Sequence, residues 1–372
     1  MTFVIITHVP HIFQNQKYYG YAPYIREMNI WLQYVTKVIV VAPLENENIN
    51  QIHLAYHHPN ITFMPIESFT IKNVKSIIVT FFKLPKIIIT IFSAMQKADH
   101  IHLRCPGNLG LLGCLVQILF PSKTKTTKYA GNWDPKSKQP LTYKLQQKIV
   151  NNPFLSRNMQ VLVYGEWEGS SRNIKPFFTA TYFENDKIPV CPRALHSNIK
   201  MMFVGTLAAG KRPFYTIQLL QELVKNGMNI TFDLYGEGNQ RDFLEKFVVK
   251  NNLQTLVQFH GNQNLETITK AYQESHFVLL PSESEGWPKV LAEGMFWGCV
   301  PVATPVSCVP YLLGFGKRGI LLTLNLEEDS KNIQQLITNP NEYNVRSNNG
   351  TSWSRKYTLD YFEQEIKLLL QP

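Results

Sequence analysis

The residues best suited to chemistry lie in one stretch, Pro281–Ala303, which reads PSESEGWPKVLAEGMFWGCVPVA. An apolar strand is predicted to end at Leu280, and a polar loop follows it. A helix is predicted to begin near Pro288, because proline suits the first helical turn. Trp287 is a poor N-cap residue, so the first backbone N–H groups of this helix are predicted to lack a side-chain acceptor. Free amides at a helix start favour an anion or a hydroxyl-rich ligand.

Two carboxylates belong to the same stretch. Glu285 is predicted in the loop, and Glu293 about one and a half turns into the helix. Carboxylates held near free amides are able to accept hydrogen bonds from the vicinal hydroxyls of a sugar. The alternative is an ordinary acidic helix start, which the helix dipole alone would explain.

The pattern P-S-x-x-E-G-x-P-x-V-x-x-E-x-x-x-x-G-x-P-V resembles the E-x7-E signature of retaining GT-B glycosyltransferases, and specifically glycosyltransferase family 4 (glycosyl transferases group 1). The resemblance implies that the first glutamate meets the donor sugar and that the second meets the ribose hydroxyls. It also implies that the intervening backbone amides contact sugar and phosphate. The donor-binding residues it implies here are Glu285, Gly286, Trp287, Pro288, Lys289, Val290 and Glu293.

The segment Phe203–Lys211 (FVGTLAAGK) is similar to the family's V-G-R-L-x-x-x-K. The resemblance implies that Gly205 and Lys211 approach the donor diphosphate, where a lysine would help the nucleotide to leave. Lys211 and Glu285 are therefore the predicted catalytic residues. Thr206 stands where the family has an arginine, and Arg212 is a neighbouring substitute. For Lys211 alone, a solvated surface lysine is the alternative.

Two glycine-containing turns complete the predicted donor site. Leu234–Gly238 (LYGEG) looks like the family's strand-ending G-x-G turn, which implicates Gly236. Phe259–Asn262 (FHGN) looks like the loop near the base, which implicates Gly261 and Asn262. An equally plausible alternative is that these glycines only allow the tight turns and do not contact the ligand.

The order of elements predicts an α/β protein of the GT-B class, with two Rossmann-like domains facing a cleft. Apolar runs alternate with helical patterns in both halves, which indicates parallel sheets covered on both faces. In the first half, strands are predicted at Phe3–Thr7, Lys37–Ala42, Ile61–Pro65, His100–Leu103, Thr126–Ala130, Val161–Tyr164 and Phe178–Tyr182. The predicted domains are an acceptor-binding domain at 1–185, a linker at 186–198, a nucleotide-sugar domain at 199–351, and a terminal helix at 352–372 that crosses back to the first domain.

Candidate residues in the first half rest more on position than on sequence identity. Gly20 follows the first strand, where the family often has a glycine-rich loop near the donor phosphates; a plain helix-entry turn is equally plausible. Arg104 ends a strand and is a candidate for an acceptor phosphate, whereas His102 is expected to be a core histidine. Asn132 and Asp134 are candidates for orienting the acceptor hydroxyl, with an Asx-turn before Pro135 as the alternative.

Charge and composition limit the partners. Residues 1–186 contain 19 Lys and Arg against 10 Asp and Glu, and residues 187–372 contain 18 against 17. A basic first half suggests an anionic partner, namely a phospholipid surface, a lipid-pyrophosphate acceptor or a nucleic acid, or else a solvated basic surface without a partner. Ile77–Phe92 is predicted to be a partly buried helix or a membrane-surface helix.

The sequence also suggests a location. No transmembrane segment and no signal peptide is predicted. The cysteine pattern suits a reducing, cytoplasmic location, and a peripheral position at the inner face of the cell membrane is a further possibility.

The expected reaction is transfer of a hexose-type sugar from a nucleotide-sugar to a saccharide or lipid-linked saccharide, with the anomeric configuration retained. Family frequencies favour a UDP-sugar. The chain has no D-x-D motif, so neither a metal nor another cofactor is expected. The alternatives are a nucleotide-sugar epimerase of the same fold and a non-catalytic nucleotide-sugar or saccharide binding module. Nucleic-acid binding is not expected, because no nucleic-acid-binding signature is present.

Overall fold

The structure is a computed structural model that describes residues 1–50, 52–67 and 74–371, together with their side chains except at 74–79. The chain divides into two compact units, one formed by Met1–Phe177 with Phe362–Pro372 and the other by Phe178–Tyr361. The predicted linker at 186–198 lies inside the second unit. The domain boundaries given above stay predictions.

The first unit is built on a single sheet with helices packed against it. Its strands are β1 (Thr2–Ile6), β2 (His11–Gln14), β3 (Lys17–Tyr21), β4 (Lys37–Glu45), β5 (His53–Ala55), β6 (Ile61–Ile66), β7 (His100–Cys105), β8 (Thr124–Tyr129), β9 (Met159–Tyr164) and β10 (Ile174–Phe177). Its helices are α1 (Ala22–Leu32), α2 (Val74–Gln96), α3 (Asn108–Val116) and α4 (Leu141–Val150). The strands β10, β9, β8, β7, β1 and β4 lie side by side in parallel, and β6 also pairs with β4.

A small antiparallel extension of this sheet was not predicted. The strands β2 and β3 form a hairpin whose turn residues, Asn15 and Gln16, both have positive φ, and β5 pairs with β3. Such a turn matches the twist of a two-stranded ribbon. Gly20, expected in a glycine-containing loop or a helix-entry turn after the first strand, lies instead inside β3 and pairs with His11.

The core of the first unit explains why these strands form. The central strands contain runs of valine, isoleucine and leucine whose side chains are fully buried, as expected for parallel strands covered on both faces. One continuous cluster joins β1, β4 and β7 to the inner faces of α2 and α3. His102 is buried and its Nδ1 hydrogen-bonds Thr126 Oγ1 at 2.9 Å, so the expectation of a core histidine is confirmed.

The second unit carries a separate, fully parallel sheet in the order β13-β12-β11-β14-β15-β16. Its strands are β11 (Ile199–Val204), β12 (Ile230–Tyr235), β13 (Val257–Gly261), β14 (Phe277–Leu280), β15 (Val300–Ala303) and β16 (Ile320–Leu321). Its helices are α5 (Pro213–Lys225), α6 (Arg241–Lys250), α7 (Leu265–Glu274), α8 (Lys289–Phe296), α9 (Val309–Leu312), α10 (Leu326–Ile337) and α11 (Pro340–Ser354). Because β11 and β14 are neighbours, the loops that follow them emerge side by side.

Two sequence predictions fail at the junctions between the units. No strand forms at Phe178–Tyr182; the strand is β10, and the following segment is extended chain held by ring contacts of Phe178 with Tyr357 and Tyr361. The terminal helix predicted from 352 is interrupted after α11, and α12 (Leu359–Leu370) begins anew. The end of α12, from Phe362, belongs to the first unit.

Within the first unit, the end of α12 is fixed by specific contacts. The ring of Phe362 lies 5.5 Å from that of Phe177, and Lys175 Nζ pairs with Glu365 at 2.5 Å. Lys128 also lies over the Phe362 ring, at 5.2 Å from its centroid. The last turns of the chain are thus an integral part of the first unit.

Candidate active site

The loop between β14 and α8 has the form that the sequence predicted. Pro288 is the cap residue of α8, one position before the helix proper, and no side chain accepts a hydrogen bond at this cap. Glu285 lies in the loop and Glu293 is the fifth residue of the helix. The open helix start and the two carboxylates therefore share one short segment at the carboxyl edge of the second sheet.

Glu285 forms an ion pair with Lys211. Lys211 Nζ donates to Glu285 Oε1 at 2.5 Å, and the side chains are 33% and 9% exposed, respectively. Lys211 ends a short 3₁₀ turn, Ala209–Lys211, that follows β11. The two predicted catalytic residues, distant in sequence, are thus in direct contact because their parent strands are adjacent.

Arg212 joins the same two loops from the other side. Its φ is +51°, a left-handed conformation that turns the chain into α5. Its Nη1 donates to the carbonyl of Pro281 at 3.2 Å, and Nη2 lies 3.4 Å from Glu283 Oε1. The backbone N–H of Glu283 donates to the carbonyl of Gly210. Arg212 therefore fixes the loop that contains Glu285.

Glu293 is held by two hydroxyl groups. Thr181 Oγ1 donates to its Oε1 at 2.6 Å, and the Tyr272 hydroxyl donates to its Oε2 at 3.1 Å. Tyr272 lies in α7 and is fully buried; burial, reinforced by the charge of Glu293, raises the pKa of Tyr272 well above its usual value. The tyrosine therefore remains a proton donor to the carboxylate, and each carboxylate oxygen already accepts from a hydroxyl.

The glycine turns after β11 and β12 are needed for close packing of the backbone. Gly236 has φ +136°, and a Cβ there would lie 2.0 Å from the carbonyl oxygen of Gly205. The N–H of Gly205 donates to Tyr235, and that of Gly236 donates to Gly261. The backbone turn therefore requires glycine at position 236, whereas a contact between Gly236 and a ligand stays a prediction.

Sequence reasoning missed His260 and Asp233. His260 Nε2 lies 2.6 Å from Asp233 Oδ1, and its ring stacks on Tyr235 with centroids 4.5 Å apart. Asn262, which follows, is exposed. The available signal was that each polar side chain lies within three residues before a glycine already selected, Asp233 before Gly236 and His260 before Gly261.

Some predicted residues serve the structure of the loop. Trp287 is buried, with its ring near those of Trp353 and Tyr357, so its side chain packs in an aromatic cluster. The carbonyl of Gly286 accepts from Cys308 Sγ at 3.1 Å. The remaining predicted residues of this edge are the exposed Thr206 and the half-buried Lys289 and Val290.

The candidates in the first unit lie at the carboxyl ends of its strands, apart from Gly20. The Arg104 guanidinium lies 5.4 Å from the Tyr24 ring centroid, and it makes no ion pair with any described residue. Asn132 Oδ1 accepts from the N–H of Asp134 at 2.9 Å, and Asp134 Oδ1 accepts from the N–H of Lys136 at 2.8 Å. Asn132 and Asp134 therefore form consecutive Asx-type turns.

A cavity of about 260 Å³ opens at this edge of the first sheet. It is lined by His8 and Pro10 after β1, by residues 106–109 after β7, and by one residue each of β4, β6 and α4. A Cβ at Gly107 would lie 2.9 Å from His8 Nδ1, so the backbone at the start of α3 packs tightly against this histidine. Burial lowers the pKa of His8, and the Arg104 charge lowers it further.

Two further features concern metals and membranes. Across residues 1–50, 52–67 and 74–371, no group of three or more His, Cys, Asp or Glu side chains is arranged to hold a metal ion. Over those same ranges, no helix combines the length and the apolar character needed to span a bilayer.

Comparison with known sequences places the predicted donor half in context. Residues 192–353 match the family described as Glycosyl transferases group 1. An uncharacterized glycosyltransferase of Methanocaldococcus jannaschii is 29% identical over 158 residues, which is 42% of this chain and 43% of that protein. The matching part of this chain thus spans less than half of that relative's length.

Solved structures extend the similarity of fold over the whole chain. HepE of Anabaena, solved with UDP and glucose, covers 99% of this chain and 98% of its own, with a TM-score of 0.68 and 14% identity. The lipopolysaccharide outer core galactosyltransferase WaaB covers 100% and 99%, with a TM-score of 0.71 and 13% identity. The chain therefore has the GT-B fold, with two Rossmann-like domains, as predicted.

Proposed function

We propose that the protein is a retaining glycosyltransferase that moves a hexose-type sugar from a nucleotide-sugar to a saccharide or lipid-linked saccharide. UDP is the proposed nucleotide, and synthesis of a surface polysaccharide or glycoconjugate is the proposed setting. The single observation that supports this best is the contact between Lys211 and Glu285, beside an uncapped helix start. A cation, a carboxylate and free amides suit a ligand that is anionic at one end and rich in hydroxyls at the other.

In the proposed complex, Lys211 and the first amides of α8 bind the donor diphosphate, and Glu285 accepts hydrogen bonds from the donor sugar. Without donor, Glu285 neutralises Lys211 and keeps its ammonium group at the sheet edge. Binding would let the lysine exchange a carboxylate for phosphate oxygens, so no unpaired cation arises in either state. Lys211 then stabilises the charge that develops on the leaving diphosphate.

Glu293 is the proposed acceptor for the ribose hydroxyls. Its two oxygens already accept from Thr181 and Tyr272, which orient the carboxylate before a ligand arrives. Each carboxylate oxygen has a second lone-pair direction, so ribose hydroxyls are able to add to these contacts. Tyr272 is therefore proposed as a positioning residue that acts through Glu293.

The proposed reaction takes place on one face of the sugar. The bond from the anomeric carbon to the diphosphate oxygen breaks, and a bond to the acceptor oxygen forms on the same face. The proton of the acceptor hydroxyl passes to the leaving diphosphate, which balances the step without a protein base. Because Lys211 and helix amides supply positive charge, we propose that no metal ion is required; undiminished transfer after treatment with EDTA would support this.

A nucleotide-sugar screen tests the proposed function. The protein is incubated with UDP- and GDP-sugars, with and without saccharide and lipid-linked saccharide acceptors, and the products are analysed by mass spectrometry and proton NMR. Acceptor-dependent release of one nucleotide, with a product of retained anomeric configuration, supports the proposal. Conversion of the donor without acceptor would favour an epimerase instead. Binding of a nucleotide-sugar with no turnover across the acceptors would favour a binding module.

A further inference from the structure

One helix of the first unit presents an apolar face to solvent. In α2, the exposed large side chains are Phe81, Phe82, Ile88, Ile89 and Phe92, and the exposed fractions of Phe82 and Ile89 are 77% and 67%. Their spacing follows the helical repeat, so they form a single ridge. This apolar ridge lies where a surface helix ordinarily has charged side chains.

The other face of α2 already packs into the core. Ile87, Ile91, Ala94 and Met95 are buried in the cluster beneath the sheet. The expectation of a partly buried helix is therefore confirmed from Thr80 onward. Because the inner face has its partner, packing against the described residues of the unit does not explain the apolar ridge.

The charge along this segment has one sign. The sequence contains no Asp or Glu between Glu67 and Asp99, but it contains Lys72, Lys75, Lys83, Lys86 and Lys97. Lys83 pairs with Glu67 at 2.8 Å, whereas Lys86 is exposed and makes no ion pair with any described residue. A groove of about 410 Å³ runs beside the helix, and Glu67, Lys83 and Lys86 are among the residues that line it.

We propose that the apolar ridge of α2 is a docking surface for an anionic lipid bilayer. Aromatic and branched side chains would enter the boundary between headgroups and acyl chains, and Lys86 would meet lipid phosphates. The helix would lie in the plane of the surface without crossing it. This proposal does not rest on the proposed function, because it involves neither nucleotide nor sugar.

The size of the ridge favours a bilayer over a second copy of the chain. From residue 81 to residue 92 the helix is about 18 Å long and about 10 Å wide. A stable protein interface buries about 800 Å² on each partner, which is more than the five exposed side chains of this ridge offer. A bilayer has no such threshold, since shallow insertion and electrostatic attraction act together. The lack of Asp and Glu in the sequence from 68 to 98 is a second reason, because anionic lipids would complement the exposed Lys86.

Sedimentation with vesicles tests this proposal on the full chain. Vesicles of phosphatidylcholine are compared with vesicles that also contain phosphatidylglycerol. We expect binding only to the anionic vesicles, weakened by salt. The double variant Phe82→Ser/Ile89→Ser should bind at least about tenfold more weakly, and Lys86→Ala about fivefold more weakly. The matched control Phe315→Ser, which replaces an exposed phenylalanine of the second unit, should bind like wild type.

Three outcomes would overturn the proposal. Wild-type protein that binds neither vesicle, or both equally, would remove the anionic bilayer as the partner. Undiminished binding by Phe82→Ser/Ile89→Ser would show that the ridge is not the docking surface. A lipid-free dimer that the double variant dissociates would assign the ridge to contact between copies of the chain. Since both replaced side chains are exposed, unchanged thermal melting of the variant serves as the folding control.

Discussion

The ion pair between Lys211 and Glu285 allows stability and catalysis to be separated. Replacement of Lys211 by Met leaves the carboxylate of Glu285 without its cation, although that carboxylate is largely buried. At 2.5 Å and an effective dielectric constant of about 20, the direct attraction is about 7 kcal/mol. Desolvation of both groups and the partial exposure of Lys211 offset most of it. We expect a net loss of about 2 kcal/mol, or about 4–8 °C in melting temperature.

The double variant Lys211→Met/Glu285→Gln should regain that stability, because it contains no uncompensated charge. It should not regain activity. If Lys211 stabilises the leaving diphosphate, the rate of transfer falls about 10²–10³-fold in Lys211→Met and remains at least as low in the double variant. Stability would then recover in the double variant, whereas the transfer rate would not.

Thermal denaturation and steady-state transfer assays on the same preparations measure both effects. The matched control is Lys200→Met, which breaks an exposed pair with Glu274 in the same unit. It should cost less than about 1 kcal/mol and leave the transfer rate unchanged. Recovery of both stability and rate in the double variant would refute the reasoning, since it would make the pair purely structural. A wild-type rate in Lys211→Met would do the same.

Three further predictions concern single residues. Tyr272→Phe removes a hydrogen-bond donor to Glu293, and we expect calorimetry to show about five- to tenfold weaker nucleotide binding. The matched control is Tyr343→Phe, which replaces another buried tyrosine with a hydrogen-bonded hydroxyl. It should lose only about 1 kcal/mol of stability and keep its nucleotide affinity. Gly236→Ala should cost more than about 3 kcal/mol in denaturant unfolding, because its Cβ would meet a backbone carbonyl; Gly316→Ala, also at positive φ but in open space, should cost about 1 kcal/mol. Burial lowers the pKa of His11 to about 4, so the first unit should lose stability as pH falls from about 6.5 towards 4, and His11→Gln should reduce that slope by about 1.4 kcal/mol per pH unit.

The sign of the pH effect follows from the folded-state pKa of His11. A histidine that stays neutral when folded binds its proton more readily in the unfolded chain, so acid favours unfolding. Denaturant titrations at several pH values would contradict this if His11→Gln kept the wild-type slope of stability against pH.

The tyrosine and glycine variants have their own contradicting outcomes. Equal loss of nucleotide affinity in Tyr272→Phe and Tyr343→Phe would remove the positioning role of Tyr272. Equal costs for the two glycine variants would show that the close approach at Gly236 is relaxed.

The parts of the fold that follow local rules were predictable from the sequence. Apolar runs placed the central parallel strands, and proline and the polar loop placed the start of α8 to within one residue. The hairpin of β2 and β3 was missed because its strands are short and partly exposed, and because its turn uses Asn-Gln in place of the stronger Asn-Gly signal. The segment Phe178–Tyr182 is apolar because its aromatic rings pack, without forming a strand.

The site was predictable where its residues share one segment, and not where they meet through the fold. Glu285 and Glu293 are close in sequence, and their spacing identified them. Thr181 donates to a carboxylate 112 residues away, and His260 meets an aspartate 27 residues away. Such contacts depend on strand order, which the local pattern does not encode. Lys211 was predicted from the motif that contains it. Its contact with Glu285 was not, because that contact depends on the adjacency of β11 and β14.

The central claim, that the second unit binds a nucleotide-sugar through Glu293 and its neighbours, is tested most directly by thermal-shift titration. Wild type and Glu293→Ala are titrated with UDP, GDP and several UDP-sugars, because a ligand that binds only the folded state raises the melting temperature with its concentration. The account predicts stabilisation of wild type by UDP and at least one UDP-sugar, and a much smaller shift in the variant. A wild-type protein whose melting temperature no nucleotide changes, or equal shifts in both proteins, would contradict it.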